Sequence, residues 1–598
     1  MLDPRSIFEY RVQANSILEL QLKLKSERWT LIRGVIFVLA FIITYFAAKN
    51  FNTALSILVF FVSFSGFLFT VNTHLKIKIA LKKVKLLIGI NRNELSRLSN
   101  DFTGMATGVE FSEKSHFYAS DLDLFGEHSL YQLLNRCHTF EGAQTLSDWM
   151  KTSAAKTEIL ERQKALTELS GEIDFRQNLE VTALESDTIG EPTSILLEWI
   201  QYPENEKIKK SLFRFGQYLP IVTLGVLIGA IFGFYSYWFV ALLLLIHGIL
   251  LKLIDEDISN ALKQTEPIGD TLKAYSALMQ LIVERNFANE KLKVLVNKVK
   301  NAPKAVSDLQ KNIHFLSYRS NPVAALGGII LMQDLRNFSK LEKWKAENRD
   351  NLAVWLEVVH EFEALNSLAG YQFANPNYAI PEISEETILL NAKELGHPLI
   401  SVGKRVFNDF EISGTGKTII LTGSNMSGKS TFERTVGINL VLASMGAVVC
   451  AQSFECAEMQ LFTSMRTQDS LESETSSFYA ELKRLELLIQ LTNQPEKKKP
   501  IFYLLDEILK GTNSKDRHTG AKALILQLKN KIATGIISTH DVELGDEFEG
   551  MDFIKNLSFS SEITESGLFF DYKIKQGVCH SFNASELMRR IGIEIETT

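Results

Sequence analysis

From Leu31 to Ala48 the chain reads LIRGVIFVLAFIITYFAA, and after only KNFNT a second apolar run, ALSILVFFVSFSGFLFTV, covers 54–71. A bilayer-crossing helix needs about 20 predominantly apolar residues, so the pair predicts a transmembrane hairpin over about 31–71. A third run, LPIVTLGVLIGAIFGFYSYWFVALLLLIHGILL (219–251), predicts a second hairpin turning near Gly233 to Ser236, with arms short for a full crossing. Lysines and arginines flank both: Lys23, Lys25, Arg28 and Arg33 before the first, Lys76, Lys78, Lys82, Lys83 and Lys85 after it, Lys207, Lys209, Lys210 and Arg214 before the second, and Lys252 after it. Basic residues stay on the cytoplasmic side, so both hairpins are expected to enter from the cytoplasm and return. A cleaved signal peptide does not fit, because a second span follows at once. The expectation is a multi-pass protein of the cell (inner or plasma) membrane with its soluble parts cytoplasmic. The run KIKIALKKVK (76–85) reads as a contact for lipid headgroups.

Elsewhere the pattern is that of a soluble protein. Residues 1–30 suit an amphipathic helix, and about 111 to 380 reads as helical, as in DTLKAYSALMQLIVERNFANEKLKVLVNKVK (270–300). FANPNYAIPEIS (373–384), with two prolines and an Asx-type turn, closes that region, and shorter strands begin near Thr387. The expected fold is multidomain, α and α/β. Residues 1–110 carry the first hairpin, 111–385 form a helical domain with the second inserted, and 386–598 form an α/β domain. A formal charge of −6 over 598 residues leaves no global basic footprint for nucleic acid. Cys137, Cys450, Cys456 and Cys579 form no C-x-x-C pair and read as buried thiols of a reducing compartment.

The chemistry concentrates near the C-terminus. TGSNMSGKST (422–431) has Gly423, four intervening residues, then Gly428, Lys429 and Ser430, the spacing of a phosphate-cradling loop. Backbone N–H groups from Gly423 through Ser424, Asn425, Met426 and Ser427 wrap the phosphates, Lys429 reaches the outer oxygens, and Ser430, followed by Thr431, offers a hydroxyl to Mg²⁺. The apolar run before it predicts a buried strand, and FERTVGINLVLASMG after it a helix. IFYLLDE (501–507) is a buried strand ending in two carboxylates. Asp506 is expected at the magnesium ion, a hard cation that prefers oxygen ligands, and Glu507 at the attacking water. TGIISTHD (534–541) ends at His540, placed to sense the terminal phosphate. Ser476 and Ser477 precede an amphipathic helix carrying Glu481, so they form a helix N-terminus, either a cap for that helix or an anion site.

These pieces in this order resemble the MutS family, DNA mismatch-repair ATPases with an ABC-type nucleotide fold. TGSNMSGKST is similar to that family's cradle, LLDEILKGTNSKD (504–516) to its Asp-Glu segment, SSFYAEL (476–482) to its signature and STHD (538–541) to its switch. DLDLFGEHSLYQLLNRCHTFEGAQTLSDWM (121–150) resembles the opening of the family's helical lever, and VVHEFEALNSLAGYQFANPNYAIPEI (358–383) its last helix. The likeness runs from about 111 to the C-terminus. It implies a homodimer that hydrolyses ATP with Mg²⁺ in composite sites, with Lys429, Glu507 and His540 catalytic and Ser430 and Asp506 on the metal. It also implies Ser476 acting across the dimer, Asp516 lining the seam, adenine near Arg405 or Phe407, and DNA as the partner of the levers.

Departures from the family are equally plain. A membrane hairpin stands where the mismatch reader with its Phe-x-Glu wedge is expected, and Phe111-Ser112-Glu113 abuts the lever with no domain around it. The insertion that resembles the DNA clamp in position is apolar. Ser424 and Ser427 replace Pro and Gly, and Glu474 and Thr475 replace Gly-Arg. An alternative function is therefore an ATP-driven switch that organises a membrane-protein partner without DNA. A transporter ranks lower, since polar residues in the spans are almost absent apart from His247.

Overall fold

The computed structural model describes residues 3–50, 53–113, 115–201, 206–265, 269–317, 328, 330–424, 426–466, 477–493, 499–564 and 567–580. Asn425 and Ser476 lie outside them, as does the side chain of Ser477. The chain is mixed α/β and mostly helical, and it divides into two compact units. One comprises residues 1–95, 136–143 and 172–363; the other comprises 96–135, 144–171 and 364–598.

The first unit opens with two long helices, α1 (Pro4–Asn50) and α2 (Thr53–Leu98). Each contains an 18-residue window of mean hydropathy 2.3 that is only 6% buried, so both are long and apolar enough to cross a membrane. Beyond those windows polar pins join the pair. Buried His74 of α2 places Nε2 3.1 Å from Ser26 Oγ of α1. The second apolar region forms the helices Glu206–Ile231 and Tyr237–Leu253, with the Ser236 hydroxyl capping the N–H of Trp238. Its one histidine, His247, is fully buried and 3.1 Å from Thr223 Oγ1, so it joins the two arms rather than lining a path. Tyr237–Leu253 continues into Asp255–Lys263 through a bend of 47°.

The C-terminal part of the basic run after the first hairpin makes contacts within the chain. Lys82 Nζ donates to the Glu185 carbonyl at 2.8 Å, Lys83 lies 3.8 Å from the Glu185 carboxylate, and Lys85 lies 3.9 Å from Glu19. These three lysines thus also contact α2's own unit, while Lys76 and Lys78 of the same run are exposed. Deeper in, α2 is tied by buried polar pairs. Arg136 Nη2 is 2.7 Å from Glu94 Oε2, and Asn91 and Gln177 exchange amide hydrogen bonds. Buried ions persist only when paired.

In the second unit the strands are β1 (Glu382–Ile383), β2 (Leu389–Leu395), β3 (Asn408–Ser413), β4 (Thr418–Thr422), β5 (Ser453–Cys456), β6 (Gln460–Ser464), β7 (Ile501–Asp506), β8 (Ala533–Thr539), β9 (Ile554–Thr564) and β10 (Gly567–Gln576). Four form a sheet in the order β1-β5-β2-β3, and six form a sheet in the order β10-β9-β4-β8-β7-β6. Within the larger sheet every pairing except β9 with β10 is parallel. Parallel strands covered on both faces read as continuous apolar runs, and β4, β7 and β8 are buried along their whole length. Since β4 lies between β8 and β9, its C-terminal end opens onto the crevice where such sheets take ligands.

Candidate phosphate-binding site

The site begins where β4 stops. Residues 423–424 and 426–428 lie between the strand and the helix Lys429–Met445. Glycine is required at both ends of the turn. Gly423 has φ +154°, and a Cβ there would sit 2.8 Å from Ser427 Oγ and 2.9 Å from the Phe559 carbonyl oxygen. Gly428 has φ +108°, with the Tyr572 ring 3.1 Å from the same hypothetical atom. Both values lie where a side chain is strained.

Lys429 folds back into the loop it follows. Its Nζ donates to the carbonyl of Gly423 at 2.8 Å and that of Ser424 at 3.2 Å. Burial pulls this ammonium below the usual lysine range, opposed by the nearby Glu507, Asp506 and Glu433 carboxyls. The hydroxyls of Ser424 and Ser427 are buried with no hydrogen-bond partner among the described residues. Buried polar atoms need partners, so these two fit an incoming oxyanion.

The C-terminal ends of β8 and, one strand further out, β7 also reach the loop. Ser430 Oγ donates to Asp506 Oδ2 at 2.6 Å, and Ser538 Oγ donates to Asp506 Oδ1 at 2.5 Å. The Ser430–Asp506 pair is an all-oxygen set suited to Mg²⁺. Beside it, His540 Nε2 lies 2.5 Å from Glu507 Oε1, and Lys510 Nζ lies 3.3 Å from Glu507 Oε2. The hydrogen bond from His540, with the Lys510 charge behind it, holds the Glu507 carboxyl down to about 2. His540 is also 3.5 Å from Lys429 Nζ. Of the residues singled out from the sequence, Lys429, Ser430, Asp506, Glu507 and His540 thus converge. Asp516 sits apart, in the first turn of the helix Ser514–Leu528, where Asn513 Nδ2 donates to it at 2.8 Å.

A cavity of about 440 Å³ lies elsewhere in this unit, but the larger one, about 770 Å³, opens directly on the loop. Its far wall comes from His397, Ile400, Val406 and Tyr572. Arg405 and Phe407, expected near the base, do not line it. Arg405 donates to Tyr378 Oη at 2.6 Å and to the Ile400 carbonyl at 2.7 Å, while the Phe407 ring packs on Gly396. His397 is buried, and that burial, reinforced by Arg434 and Arg405, lowers it to about 4, so the cavity meets a neutral imidazole.

Sequence reasoning missed four participants. Ser538 is a buried hydroxyl in a strand that also buries Thr534 and Thr539, so its sequence does not single it out. Lys510 follows Glu507 by three residues. Tyr572 comes from β10, where the register slips between Phe570 and Ile574, and nothing in its local sequence marks it. Glu433 is fully buried in the loop-following helix, and burial with Asp506 nearby pushes its carboxyl well above the usual range.

A glycine turn on a central parallel strand, with a buried lysine and a serine–aspartate pair at its mouth, marks an α/β protein whose site has the chemistry to suit a phosphorylated ligand. Residues 419–590 match the family model "MutS domain V". The chain is 29% identical over 326 residues to a DNA mismatch repair protein MutS of Fervidobacterium nodosum, covering 54% of this chain and 35% of that protein. It is 26% identical over 295 residues to an Endonuclease MutS2 of Pediococcus pentosaceus, covering 49% and 35% respectively. A MutS of Macrococcus caseolyticus is 33% identical over 218 residues, 35% of this chain and 25% of that protein. The similarity to the MutS family is thus concentrated in the C-terminal part of the chain, and the matched stretch spans about a third of the length of the curated relatives named first.

Proposed function

We propose that this protein is a membrane-anchored MutS-type ATPase that closes as a homodimer and couples ATP binding and hydrolysis to mismatched, damaged or branched DNA. The observation that carries the reading is the convergence of a buried Lys429, the unpartnered hydroxyls of Ser424 and Ser427, and the Ser430–Asp506 pair at one strand end. In this reading Lys429 exchanges the two loop carbonyls for phosphate oxygens. Ser430 and Asp506 hold Mg²⁺, which when bound neutralises charge on the phosphates. Glu507 orients the attacking water, and His540 fixes the direction of Glu507. Ser476 and Ser477 complete the site of a second copy, with Asp516 on the seam between the two. The apolar windows of α1 and α2 support lipid anchoring, because soluble surfaces rarely expose apolar patches of that extent.

The net charge of −6 favours a second reading, an ATP-driven switch on a membrane-protein partner without DNA. One experiment separates the two. The full chain in nanodiscs is assayed for ATP hydrolysis alone and with homoduplex, mismatched and branched DNA, beside Glu507→Gln. The proposal expects hydrolysis that DNA stimulates, and a Glu507→Gln protein that binds ATP, hydrolyses it at least 100-fold more slowly and accumulates as a dimer. Hydrolysis indifferent to every DNA, with no binding at low salt where phosphate contacts are strongest, leaves the switch reading. No ATP binding ends both.

A further inference from the structure

His518 has no part in the roles assigned so far, yet it joins the two segments that carry Glu507 and His540. It lies on the helix Ser514–Leu528, the first after Glu507, and faces the short helix Val542–Glu547 that follows His540. Its Nδ1 is 2.7 Å from Asp541 Oδ2, and its Nε2 is 3.2 Å from Glu547 Oε2. A neutral imidazole has one N–H to donate, whereas the imidazolium donates from both nitrogens. Two carboxylates, one at each nitrogen, therefore suit the charged ring. Asp541 is the residue after His540, and its second oxygen accepts the N–H of Leu544 at 3.2 Å. His540 Nε2 in turn is 2.5 Å from Glu507 Oε1. The charges around the ring among the described residues are Asp541, Glu543 and Glu547 on the facing segment, and Lys522 of its own helix, which pairs with Glu547.

We infer that His518 is a positioning residue for hydrolysis: as a cation it holds the turn that carries His540 to the helix after Glu507, and loss of its proton slows turnover. This role rests on the ATP reading above. Deprotonation leaves one N–H for two carboxylates, and it leaves Lys522 alone against Asp541, Glu543 and Glu547. The turn then loosens, and His540 no longer fixes the direction of Glu507. Nucleotide binding depends instead on the phosphate loop and Lys429, so the change falls on turnover rather than affinity. The hydrogen bond to Asp541, backed by the charges of Asp541 and Glu547, raises the ring above its ordinary 6.5. A raised imidazole contributes fully below that ordinary value, and its contribution is lost as pH climbs through the raised one. His518 touches no reacting atom and acts through Asp541 and His540.

The test is the pH profile of turnover. The full chain in nanodiscs is assayed with Mg²⁺ and ATP from about pH 6 to 9, with kcat and KM separated, for wild type, His518→Gln and His518→Arg. Other titrating groups are common to all three proteins, so the ratio of each variant to wild type is what is read. Wild-type kcat is expected to fall at least threefold toward the alkaline end, the scale of a partly exposed charge pair, while KM stays within about twofold. His518→Gln, neutral throughout, is expected to start at the lowered rate and to lack the fall. His518→Arg, cationic throughout with donors to spare, is expected to keep its pH 6 rate to pH 9. Either variant suffices should the other fail to fold. A flat wild-type profile, a fall carried by KM, or a fall that persists in a folded variant overturns the inference and leaves the ATP reading standing. A wild type that neither binds nor hydrolyses ATP overturns both.

Discussion

Replacing His540 with alanine tests the link between switch and base directly. Glu507 ordinarily titrates near 4.5 and is held at about 2, with His540 the first cause and Lys510 a lesser one. That gap of about 2.5 on the pH scale corresponds to about 3.4 kcal/mol if none were lost to solvent. The pair is not sealed, since the two side chains are 32% and 26% exposed, so screening leaves roughly 1 kcal/mol. For a unit of this size that is a fall of about 2 °C in melting temperature. The sign follows from the depressed carboxyl. His540 favours the ionised form of Glu507 in the folded chain, so the contribution is present above about 4.5 and is lost as pH falls through about 2. Between pH 5 and 8 Glu507 does not titrate, and on its account the difference between His540→Ala and wild type is constant. Thermal melts of both proteins in detergent at pH 6, 7 and 8, followed by intrinsic fluorescence, measure it. In parallel, ATP affinity is expected to stay within about threefold while hydrolysis falls at least tenfold, because a water-orienting carboxylate has lost its own support. A variant that melts with the wild type and hydrolyses normally refutes the reasoning.

Three further outcomes follow, one from the same site and two from the apolar helices. Lys429→Ala deletes the buried ammonium whose hydrogen bonds to the loop carbonyls are charge-assisted, each worth roughly 1.5–3 kcal/mol; titration with a fluorescent nucleotide should show at least a 100-fold loss of affinity, about 2.7 kcal/mol. The chain should sediment with membranes, resist high-salt and alkaline washes and be released by detergent. Phe41→Arg, at a position 72% exposed in the first apolar window, should reduce the membrane-bound fraction, since a centred arginine costs about 2.5–3.5 kcal/mol on insertion scales.

What could be read from the sequence was mostly what is contiguous. The glycine turn, its strand and its helix occupy one unbroken stretch, so spacing and periodicity describe them without any tertiary information. The continuous apolar runs of β4, β7 and β8 likewise reflect a parallel sheet buried on both faces, and the two N-terminal runs became α1 and α2. What stayed hidden depends on distant pairing. Lys82 looks like a lipid-facing cation until Glu185, about a hundred residues on, is folded against it. Arg405 has the chemistry of a base contact, but Tyr378 and the carbonyls of Pro398 and Ile400 already take its donors. Tyr572 reaches the cavity only because a slip of register in β10 re-aims it, as bulges do beside functional sites. Glu433 is concealed differently. One carboxylate in an amphipathic helix ordinarily means a solvated face, and only its burial shows otherwise.

The segment after Asp506 is held in a way that bears on how two copies would communicate. Glu507 and Leu509 both have positive φ, 50° and 60°, which non-glycine residues adopt only when their surroundings impose it. The helix Ser477–Thr492 is what imposes it. The Glu481 carboxylate accepts the N–H of Leu509, and the backbone of Phe478 leaves no room for anything larger than Gly511 beside it. The same helix is fastened at Arg484, which donates to the carbonyls of Thr463, His116 and Phe117. These contacts lie in the first half of the helix, whose first residues follow directly on Ser476, the residue proposed to act across the dimer. A phosphate engaging that N-terminus would pull on Phe478 and Glu481 before anything else, and through them on the strained residues that aim Glu507. In the proposed dimer, a shift of this helix toward a partner would therefore disturb the contacts of Phe478 and Glu481 with the backbone just after Glu507, and so would couple closure to the direction of that carboxylate.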